Sequence, residues 1–312
     1  ISWNLTKRCN LNCDHCYLDA EFRGGLKTDE LNTEECFRVI DQIAEVNPNA
    51  FLILTGGEPL LRPDIYDIIR YAADKKFMVV LGTNGTMINR VNAEKIKAAG
   101  AHGVGISIDS MNPDKHNKFR GVEKAWEHSM EAFDILNEVG VDFLVQMSVS
   151  DMNYKEIPDV VEFTEKIGAI AFNLYFLVCT GRGQGNTDIS NAAYEEALKM
   201  LYDQQMKYKG KLMINSKCAP QYKRVVYEND PESVYTRTYS GGCPAATHYS
   251  RISPEGNLTP CPFIEESVGN LKSRTFKDLW ENAPLMVQLR DRKQLDGKCG
   301  SCEFSAMCSG CR

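Results

Sequence analysis

The sequence Cys9-Asn10-Leu11-Asn12-Cys13-Asp14-His15-Cys16-Tyr17 places three thiols in one short loop, with an aromatic residue directly after the third. A cubane iron–sulfur cluster normally takes four thiolates, so three thiolates leave one iron without a protein ligand. An open coordination position is typical of a catalytic metal site, whereas a structural site is closed. The spacing therefore predicts an iron–sulfur site with one iron open to a further ligand.

Zinc is the alternative metal for these thiols, but a zinc site usually requires a fourth Cys or His nearby. His15 lies between two of the cysteines and is poorly placed to complete a tetrahedron. The loop follows a short apolar stretch at 1–5, so we expect the metal at the C-terminal end of a strand.

The spacing Cys9-x3-Cys13-x2-Cys16 resembles the signature of the radical S-adenosylmethionine (SAM) enzymes. In that family the open iron binds SAM, and reductive cleavage of SAM yields a 5′-deoxyadenosyl radical that abstracts a substrate hydrogen. The stretch Thr55-Gly56-Gly57-Glu58-Pro59 is similar to the family's GGE element, which holds the SAM amino group. A plain strand-to-helix turn would explain the same residues.

Short polar side chains near predicted strand ends suit hydrogen bonds to a ribose or a carboxylate, although Asn84 and Asp109 also suit helix capping. The resemblance implies that SAM is bound by Tyr17, Gly56, Gly57, Glu58, Asn84, Ser107, Asp109 and Gln146.

Composition limits the classes of function. The chain has 312 residues, 43% hydrophobic and 25% charged, with a net charge of −6. These values indicate a globular protein and argue against a broad nucleic-acid-binding surface. No apolar run is long enough to span a membrane.

Twelve cysteines is an unusually high number. Disulfide bonds do not explain it, because a chain of this length with a large core does not need them for stability. The cysteines indicate a reducing compartment, which we expect to be the cytoplasm, and several metal clusters. Only Cys36 and Cys179 lie outside motif-like settings, and we predict that both are small core residues.

Apolar periodicity predicts alternating strands and helices in the first part of the chain. The strands are expected at 1–5, 50–55, 78–83, 103–108, 142–149 and 170–178. The helices are expected at 33–46, 63–75, 88–99, 125–139 and 154–167, with helix ends near Gly100, Gly140 and Gly168. This order predicts an α/β fold, a partial (β/α)6 parallel barrel with a cysteine-rich C-terminal extension. Function is then expected at the C-terminal ends of the strands.

Three regions are predicted: a partial barrel at 1–180, a bridging segment at 181–240 and an auxiliary cluster domain at 241–312. The bridging segment contains a helix at about 191–208 and a short strand at 211–214. In the last region, 248–252 and 258–260 are expected to form a hairpin, followed by a helix at about 275–281.

The C-terminal cysteines Cys299-x2-Cys302-x5-Cys308-x2-Cys311 are dense enough to indicate metal binding. With Cys243 and Cys261 upstream, they resemble the SPASM extension of radical SAM enzymes, which contains auxiliary clusters. The resemblance implies one cluster held by Cys218, Cys243, Cys261 and Cys311, and another held by Cys299, Cys302 and Cys308. The second set needs a fourth ligand, which we expect just beyond Arg312.

Two features leave these assignments open. The gap before Cys311 is two residues, where many SPASM proteins have three, so the division of ligands between clusters is uncertain. A zinc knuckle is the structural alternative, since thiolates also suit zinc.

Basic side chains near predicted strand ends are candidates for binding an anionic substrate. Arg120 and Arg182 are predicted substrate or catalytic residues, with a solvated surface charge and a plain loop as the alternatives. His248 is a candidate proton donor or iron ligand, although a surface position explains it equally. Lys217 and Arg224 are further candidate carboxylate ligands.

Four local sequences resemble the radical SAM proteins of haem biosynthesis, the NirJ and Ahb group. They are Phe119-Arg120-Gly121, Thr180-Gly181-Arg182, Cys218-Ala219-Pro220 with Tyr222, and Gly297-Lys298-Cys299-Gly300-Ser301-Cys302-Glu303-Phe304.

This resemblance implies an enzyme that binds SAM, a [4Fe–4S] cluster and one or two auxiliary [4Fe–4S] clusters. Its substrate would be a tetrapyrrole that loses propionate or acetate side chains, and an external reductant would supply single electrons. No nucleic-acid or membrane partner is expected. Two alternatives are a SPASM peptide maturase and a non-enzymatic iron–sulfur electron carrier; a carrier would not need the SAM-binding residues.

Overall fold

The computed structural model describes residues 1–25, 29–185, 189–233, 242–291 and 294–311. Its strands are β1 Ser2–Asn4, β2 Arg8–Cys9, β3 Glu21–Phe22, β4 Phe51–Thr55, β5 Met78–Thr83, β6 Gly103–Ser107, β7 Phe143–Val149, β8 Ala171–Phe176, β9 Met213–Lys217, β10 Arg251–Ile252, β11 Asn257–Thr259 and β12 Gly269–Asn270.

The α-helices are α1 Thr33–Val46, α2 Ile65–Asp74, α3 Arg90–Ala98, α4 Pro113–Arg120, α5 Ala125–Val139, α6 Ile157–Lys166, α7 Asn191–Lys207, α8 Tyr222–Asn229, α9 Phe276–Asn282, α10 Pro284–Arg290, α11 Gly297–Gly300 and α12 Ser305–Cys308. Short 3-10 helices lie at Pro59–Leu61, Tyr154–Glu156 and Gly181–Gly185. None of the described helices is both long and apolar enough to cross a bilayer.

The main sheet has the strand order β12-β11-β10-β1-β4-β5-β6-β7-β8-β9. Neighbouring strands from β1 to β9 in this order are parallel, and helices lie between them in the chain. Because these strands are parallel and are joined by crossover connections, they all run in the same direction. Their C-terminal ends therefore lie at one edge of the sheet. The polar residues that follow these strands therefore come close together.

Alternation along β7 shows how the sheet separates its core from its site. Phe143, Val145, Met147 and Val149 are buried, while the residues between them are half-buried. Because side chains alternate between the two faces of a strand, Gln146 and Ser148 share the face opposite to the buried apolar residues. The core face and the polar face of the barrel are thus both set by this two-residue period.

Local signals define the helix boundaries. Helix α1 begins with a capping box, in which Asn32 accepts a hydrogen bond from the Glu35 amide and Glu35 accepts one from the Asn32 amide. The predicted helix ends at Gly100, Gly140 and Gly168 are confirmed, with φ angles of 88°, 71° and 77°.

Two sequence predictions about local structure are wrong. No helix was predicted between residues 99 and 125, but His116 and Arg120 lie within helix α4, which begins after the cap residue Asn112. Cys179 was expected in the core, but it is exposed, because the strand ends at Phe176 and the chain turns outward. Cys36, the other isolated cysteine, is fully buried as predicted.

The sheet continues through the region predicted to bridge two domains. Strand β9 pairs in parallel with β8, with Tyr175 opposite Lys217. It begins and ends later than the predicted strand at 211–214 because its register is set by β8. The parallel sheet therefore extends past residue 180.

The predicted hairpin is present as β10 and β11, which pair in antiparallel fashion. Strand β10 also pairs in parallel with β1, with Ser2 opposite Arg251 and Trp3 opposite Ile252. Trp3, Ile252, Phe276 and Met286 belong to the same buried cluster. The C-terminal region therefore shares its core with the barrel.

Candidate active site

A cavity of about 480 Å³ lies at the C-terminal ends of the parallel strands. Its volume is within the range of small-molecule sites. Residues from both ends of the chain line it, including Cys9, Cys13 and Cys16 on one side and Cys218, Cys243, Cys261 and Cys311 on the other. Two cysteine sets that are distant in sequence thus open onto one space.

The N-terminal cysteine loop is largely buried. Cys9 and Cys13 are buried and Cys16 is half-buried. The Leu11 amide lies 3.4 Å from the Cys9 Sγ, and the Ala20 amide lies 3.4 Å from the Cys16 Sγ. Such amides stabilise thiolates, since each donates a hydrogen bond to sulfur.

Desolvation by burial raises the pKa of Cys9 to about 12, and the neighbouring thiols act in the same direction. Burial also raises the pKa of Cys13, against the effect of the adjacent Arg120. These thiols are therefore neutral at pH 7 unless a bound cationic group offsets the charge of the thiolates.

Helix α4 holds one side of the cysteine loop. The Asn12 and Asp14 amides donate to the backbone carbonyls of Arg120 and Phe119, over 3.1 and 3.2 Å. The Phe119 ring stacks on His15 with centroids 4.1 Å apart. The C-terminal end of the helix is therefore fixed against the loop by its backbone as well as by a ring contact.

Arg120 is almost fully buried, and its contacts explain its position. Its Nη1 lies 3.8 Å from the Cys13 Sγ, and its Nη2 lies 2.5 Å from the Asp109 Oδ2. The other Asp109 carboxylate oxygen accepts a hydrogen bond from the Ser148 amide at 2.9 Å. The guanidinium thus joins a cysteine of the triplet to a buried carboxylate, while it also lines the cavity.

Arg182 holds the opposite side of the loop. Its Nε donates to the Cys13 carbonyl at 3.1 Å and its Nη1 to the Ala20 carbonyl at 2.7 Å. Its guanidinium also pairs with Asp19 at 3.0 Å. The predicted substrate residue lines the cavity, but these contacts are with the protein's own cysteine loop.

Gly56 and Gly57 line the cavity and pack directly against the residues that lead into the cysteine loop. A Cβ atom at Gly56 would lie 2.6 Å from the Thr6 carbonyl oxygen, and one at Gly57 would lie 2.1 Å from the Arg8 carbonyl oxygen. Only glycine permits this backbone approach. The Gly57 and Glu58 amides donate to those same two carbonyls, so this segment and the cysteine loop form one unit.

Glu58 is fully buried and does not line the cavity. Its carboxylate accepts hydrogen bonds from the Thr83 hydroxyl at 2.8 Å, the Asn84 amide at 2.9 Å and the Leu60 amide at 3.0 Å. Burial nevertheless raises the pKa of Glu58 to about 7, against the effect of these donors. Its side chain joins the segment after β4 to the segment after β5.

The predicted polar residues divide into two groups. Tyr17, Asn84, Ser107 and Gln146 line the cavity. Asp109 does not, because its carboxylate lies behind the wall and pairs with Arg120. Asn84 also donates to the Asn10 side chain at 2.8 Å, which places it against the cysteine loop.

The second cysteine set is assembled from distant segments. Cys218 follows β9 with a φ of 59°, Cys243 and Cys261 flank the β10–β11 hairpin, and Cys311 lies near the C-terminus. Burial raises the pKa of Cys218 to about 12 and that of Cys261 to about 11, and nearby thiols contribute to both shifts. A hydrogen bond to Cys243 is the largest cause that raises the pKa of Cys311. These four thiols therefore face one another.

Cys299, Cys302 and Cys308 form a separate group outside the cavity. Cys299 and Cys302 are exposed, Cys308 is half-buried, and both exposed thiols act to raise the Cys308 pKa. His248 is also exposed and does not line the cavity. The structure therefore does not bring His248 together with the other predicted site residues.

Sequence reasoning identified Tyr17 but missed two further half-buried phenols that line the cavity, Tyr175 and Tyr249. Tyr17 accepts a hydrogen bond from Asn4 at 2.8 Å and packs edge-on against Phe263, with centroids 5.6 Å apart. Tyr175 and Tyr249 line the same cavity. Tyr175 lies two positions after Asn173 on β8, and side chains two positions apart lie on the same face of a strand. This period was the sequence signal that could have predicted that Tyr175 faces the cavity.

Two known family models match regions that contain cysteines of both sets. The model of the Radical SAM superfamily matches residues 3–164, which include the cysteine loop, Gly56-Gly57 and the strands up to β7. The chain belongs to the radical SAM superfamily. The model of the SPASM iron-sulfur cluster-binding domain matches residues 243–303. The predicted family and its C-terminal extension are confirmed.

Curated relatives match along the whole chain. The sequence is 37% identical over 320 residues to the AdoMet-dependent heme synthase of Methanosarcina barkeri, covering 100% of this chain and 90% of the relative. It is 34% identical over 322 residues to the AdoMet-dependent heme synthase of Nitratidesulfovibrio vulgaris, covering 100% of this chain and 86% of the relative. The resemblance to the haem-biosynthesis group is thus confirmed.

A solved structure confirms the predicted α/β fold class. Streptococcus suis SuiB bound to S-adenosylmethionine superposes with a TM-score of 0.78 and 18% identity, covering 99% of this chain and 71% of that one. At this identity the likeness concerns the fold alone.

The residues of this radical SAM protein fit iron–sulfur clusters at both cavity-facing cysteine sets. Each set consists of thiols, the ligands that such clusters take, and burial raises the pKa of Cys9 in the first set and of Cys218 in the second. Within the described part of the chain, no three His, Cys, Asp or Glu side chains are arranged to hold a single metal ion. A cubane separates its thiolate ligands further than one ion does, because each thiolate binds a different iron.

Proposed function

We propose that this protein acts on a porphyrin-type haem precursor and removes a propionate or acetate side chain. The observation that supports this most directly is the single cavity shared by Cys9, Cys13 and Cys16 and by the four thiols of the second set. The haem synthase relatives support radical SAM chemistry in haem biosynthesis.

In this proposal Cys9, Cys13 and Cys16 hold the [4Fe–4S] cluster that binds SAM. When bound, the cluster and SAM supply a 5′-deoxyadenosyl radical, which abstracts a substrate hydrogen. Gly56 and Gly57 allow the backbone to approach SAM closely. Candidate hydrogen-bonding groups for SAM along the strand ends are Tyr17, Asn84, Ser107 and Gln146.

The remaining cavity wall suits a large planar substrate. Phe176, Leu177, Val178, Pro244 and Phe263 are apolar residues that line it. Apolar walls exclude water from the reacting atoms and pack against a macrocycle.

Cys218, Cys243, Cys261 and Cys311 would hold an auxiliary cluster at the cavity wall, and Cys299, Cys302 and Cys308 a second one outside it. An external one-electron reductant completes the system. We do not assign His248 a role, because it is exposed and lies away from the cavity.

Product mass tests the proposal. The protein is reconstituted anaerobically with iron and sulfide, then incubated with SAM, a one-electron reductant and either iron-coproporphyrin III or didecarboxysirohaem. The expected result is formation of 5′-deoxyadenosine together with a lower tetrapyrrole mass. Conversion of one propionate to a vinyl group removes carbon dioxide and two hydrogens.

A Cys13→Ala variant is the control, since it removes one thiol of the triplet and is expected to lose both products. Unchanged masses of both tetrapyrroles, with SAM still cleaved, would contradict the haem proposal. A mass change in a candidate peptide under the same conditions would favour the peptide maturase alternative.

A further inference from the structure

A row of polar side chains crosses three strands on the cavity face of the sheet. Ser148 on β7 is opposite Tyr175 on β8, which is opposite Lys217 on β9. Registered residues of parallel strands point to the same face. All three residues line the cavity, so Lys217 lies at the end of this row.

The row also sets a distance. Adjacent strands are about 4.8 Å apart, so Lys217 lies about 10 Å along the sheet from Ser148. Gln146 and Ser107 lie next to Ser148, on the side of the cavity where SAM is proposed to bind. Lys217 instead precedes Cys218, which belongs to the second cysteine set.

Lys217 differs from the other basic residues of the cavity. Arg120 pairs with Asp109, and Arg182 pairs with Asp19 and donates to two backbone carbonyls. Lys223, on α8, also has an interaction partner. Among the described residues, Lys217 has neither a hydrogen bond from its ammonium nor an ion pair with a carboxylate. The only described charge interaction of Lys217 is with Cys218.

A half-buried ammonium without a carboxylate partner has lost part of its hydration, and no ion pair or hydrogen bond replaces it. An anionic group that enters the cavity restores a partner for this charge. Tyr175 is next to Lys217 in the row, and burial raises the pKa of its phenol, which therefore remains protonated and able to donate a hydrogen bond. Tyr175 and Lys217 are thus a hydrogen-bond donor and a cation at neighbouring positions of the cavity face.

We propose that Lys217 binds a substrate carboxylate that is distant from the reacting side chain. This inference rests on the proposed function and adds a requirement on the substrate: a rigid body that carries an anionic group about 10 Å along the sheet from the part of the cavity next to Ser148. A tetrapyrrole with carboxylates on different pyrrole rings has this property. Lys217 therefore orients the macrocycle, and a different side chain faces the radical.

Binding of two matched ligands tests the role of Lys217 without turnover. The cluster-loaded protein is titrated anaerobically with iron-coproporphyrin III and with its tetramethyl ester, and the change in the Soret band gives each dissociation constant. The ester keeps the macrocycle and the metal but has no carboxylate. We expect Lys217→Met to weaken binding of the acid about tenfold or more and to leave binding of the ester unchanged.

Two further variants complete the design. Lys217→Arg keeps the positive charge and is expected to recover most of the affinity for the acid. Lys209→Met changes an exposed lysine after α7 and is expected to bind both ligands like the wild type. Iron content and circular dichroism identify any variant that has lost its clusters or its fold, and Lys217→Gln then replaces Lys217→Met.

The outcomes separate the inference from the proposed function. Equal affinities of wild type and Lys217→Met for the acid overturn the assignment of Lys217, whereas tight binding by the wild type still supports a tetrapyrrole substrate. A wild-type protein that binds neither ligand overturns the proposed function. If Lys217→Met weakens binding of the acid and of the ester equally, the proposed role of Lys217 in carboxylate binding is overturned, because such a result indicates a loss of packing.

Discussion

Arg120 is a residue whose contacts reach the candidate cluster directly. Its guanidinium lies 3.8 Å from the Cys13 Sγ and pairs with Asp109, and both charged groups are buried. A positive charge beside an anionic cluster stabilises its reduced state, and a negative charge does the opposite. Arg120 and Asp109 are therefore expected to shift the reduction potential of the N-terminal cluster in opposite directions.

Arg120→Met is predicted to lower the midpoint potential of the N-terminal cluster by some tens of millivolts, because it removes a charge-assisted hydrogen bond to sulfur. Asp109→Asn is predicted to raise the same potential. Asparagine keeps an oxygen that can accept from the Ser148 amide, so the second variant preserves the local fold. A potentiometric titration followed by electron paramagnetic resonance measures both values, and the SAM-dependent change of signal identifies the N-terminal cluster. Shifts of the same sign in both variants would contradict this role.

Glu58 shows how one buried carboxylate joins two strand ends. It accepts three hydrogen bonds, yet burial still raises its pKa to about 7. A carboxyl group with a higher pKa in the folded than in the unfolded chain binds its proton more tightly when folded. Its contribution therefore favours folding at low pH and is lost as the pH rises through about 7.

At the scale of elements, the junction between α4 and the cysteine loop is a close backbone contact. Gly121 ends the helix with a φ of 70°, and a Cβ atom there would lie 2.2 Å from the Asn12 carbonyl oxygen. Neither the loop backbone nor the helix can move away without loss of the Asn12 and Asp14 hydrogen bonds.

Gly121→Ala is predicted to displace the cysteine loop and to lower cluster incorporation at the N-terminal site. Gly168→Ala is the matched control, because Gly168 also follows a helix with a positive φ but has no atom within 4 Å of its Cβ position. Both variants introduce similar backbone strain, and only the first introduces a clash. Iron content and the cluster absorbance after reconstitution compare them; equal iron content in the two variants would show that the contact does not matter.

At the scale of the whole molecule, the C-terminal region completes the barrel. Strand β10 pairs with β1, and the Leu31 amide donates to the Pro254 carbonyl at 2.8 Å. The side chain of Gln42 on α1 accepts from the Phe276 amide on α9 at 2.8 Å. These contacts join the first and last parts of the chain around one core.

Ile252→Ala is predicted to destabilise the whole protein by about 2–5 kcal/mol, since it removes a fully buried side chain beside Trp3. Val287→Ala, at an exposed position on α10, is the control and is expected to change the free energy of unfolding little. Urea unfolding followed by tryptophan fluorescence and by circular dichroism measures both variants. If the two probes gave separate transitions, with barrel stability unchanged in Ile252→Ala, the shared core would not be one cooperative unit.

Much of the fold could be predicted because its signals are local. The apolar period placed helices at 33–46 and 125–139, and the structure has them as Thr33–Val46 and Ala125–Val139. The spacing of Cys9, Cys13 and Cys16 indicated the cluster chemistry, and the resemblance indicated the family. These features depend on residues that are neighbours in the sequence.

The partners of individual side chains could not be predicted in this way. The contacts of Arg120 and Arg182 with Cys13 were not predicted, because they span 107 and 169 positions of the chain. The ion pair of Asp109 with Arg120 was likewise not predicted.

The sequence by itself determined the type of chemistry, because ligand number and spacing limit the metal group that a short loop can bind. Only the tertiary structure decided that the first and second cysteine sets share one cavity and that Lys217, which lines it, has no carboxylate partner among the described residues. The physical reason is that strand register and long-range packing decide which charges are buried together, and neither is encoded in any single stretch of the chain.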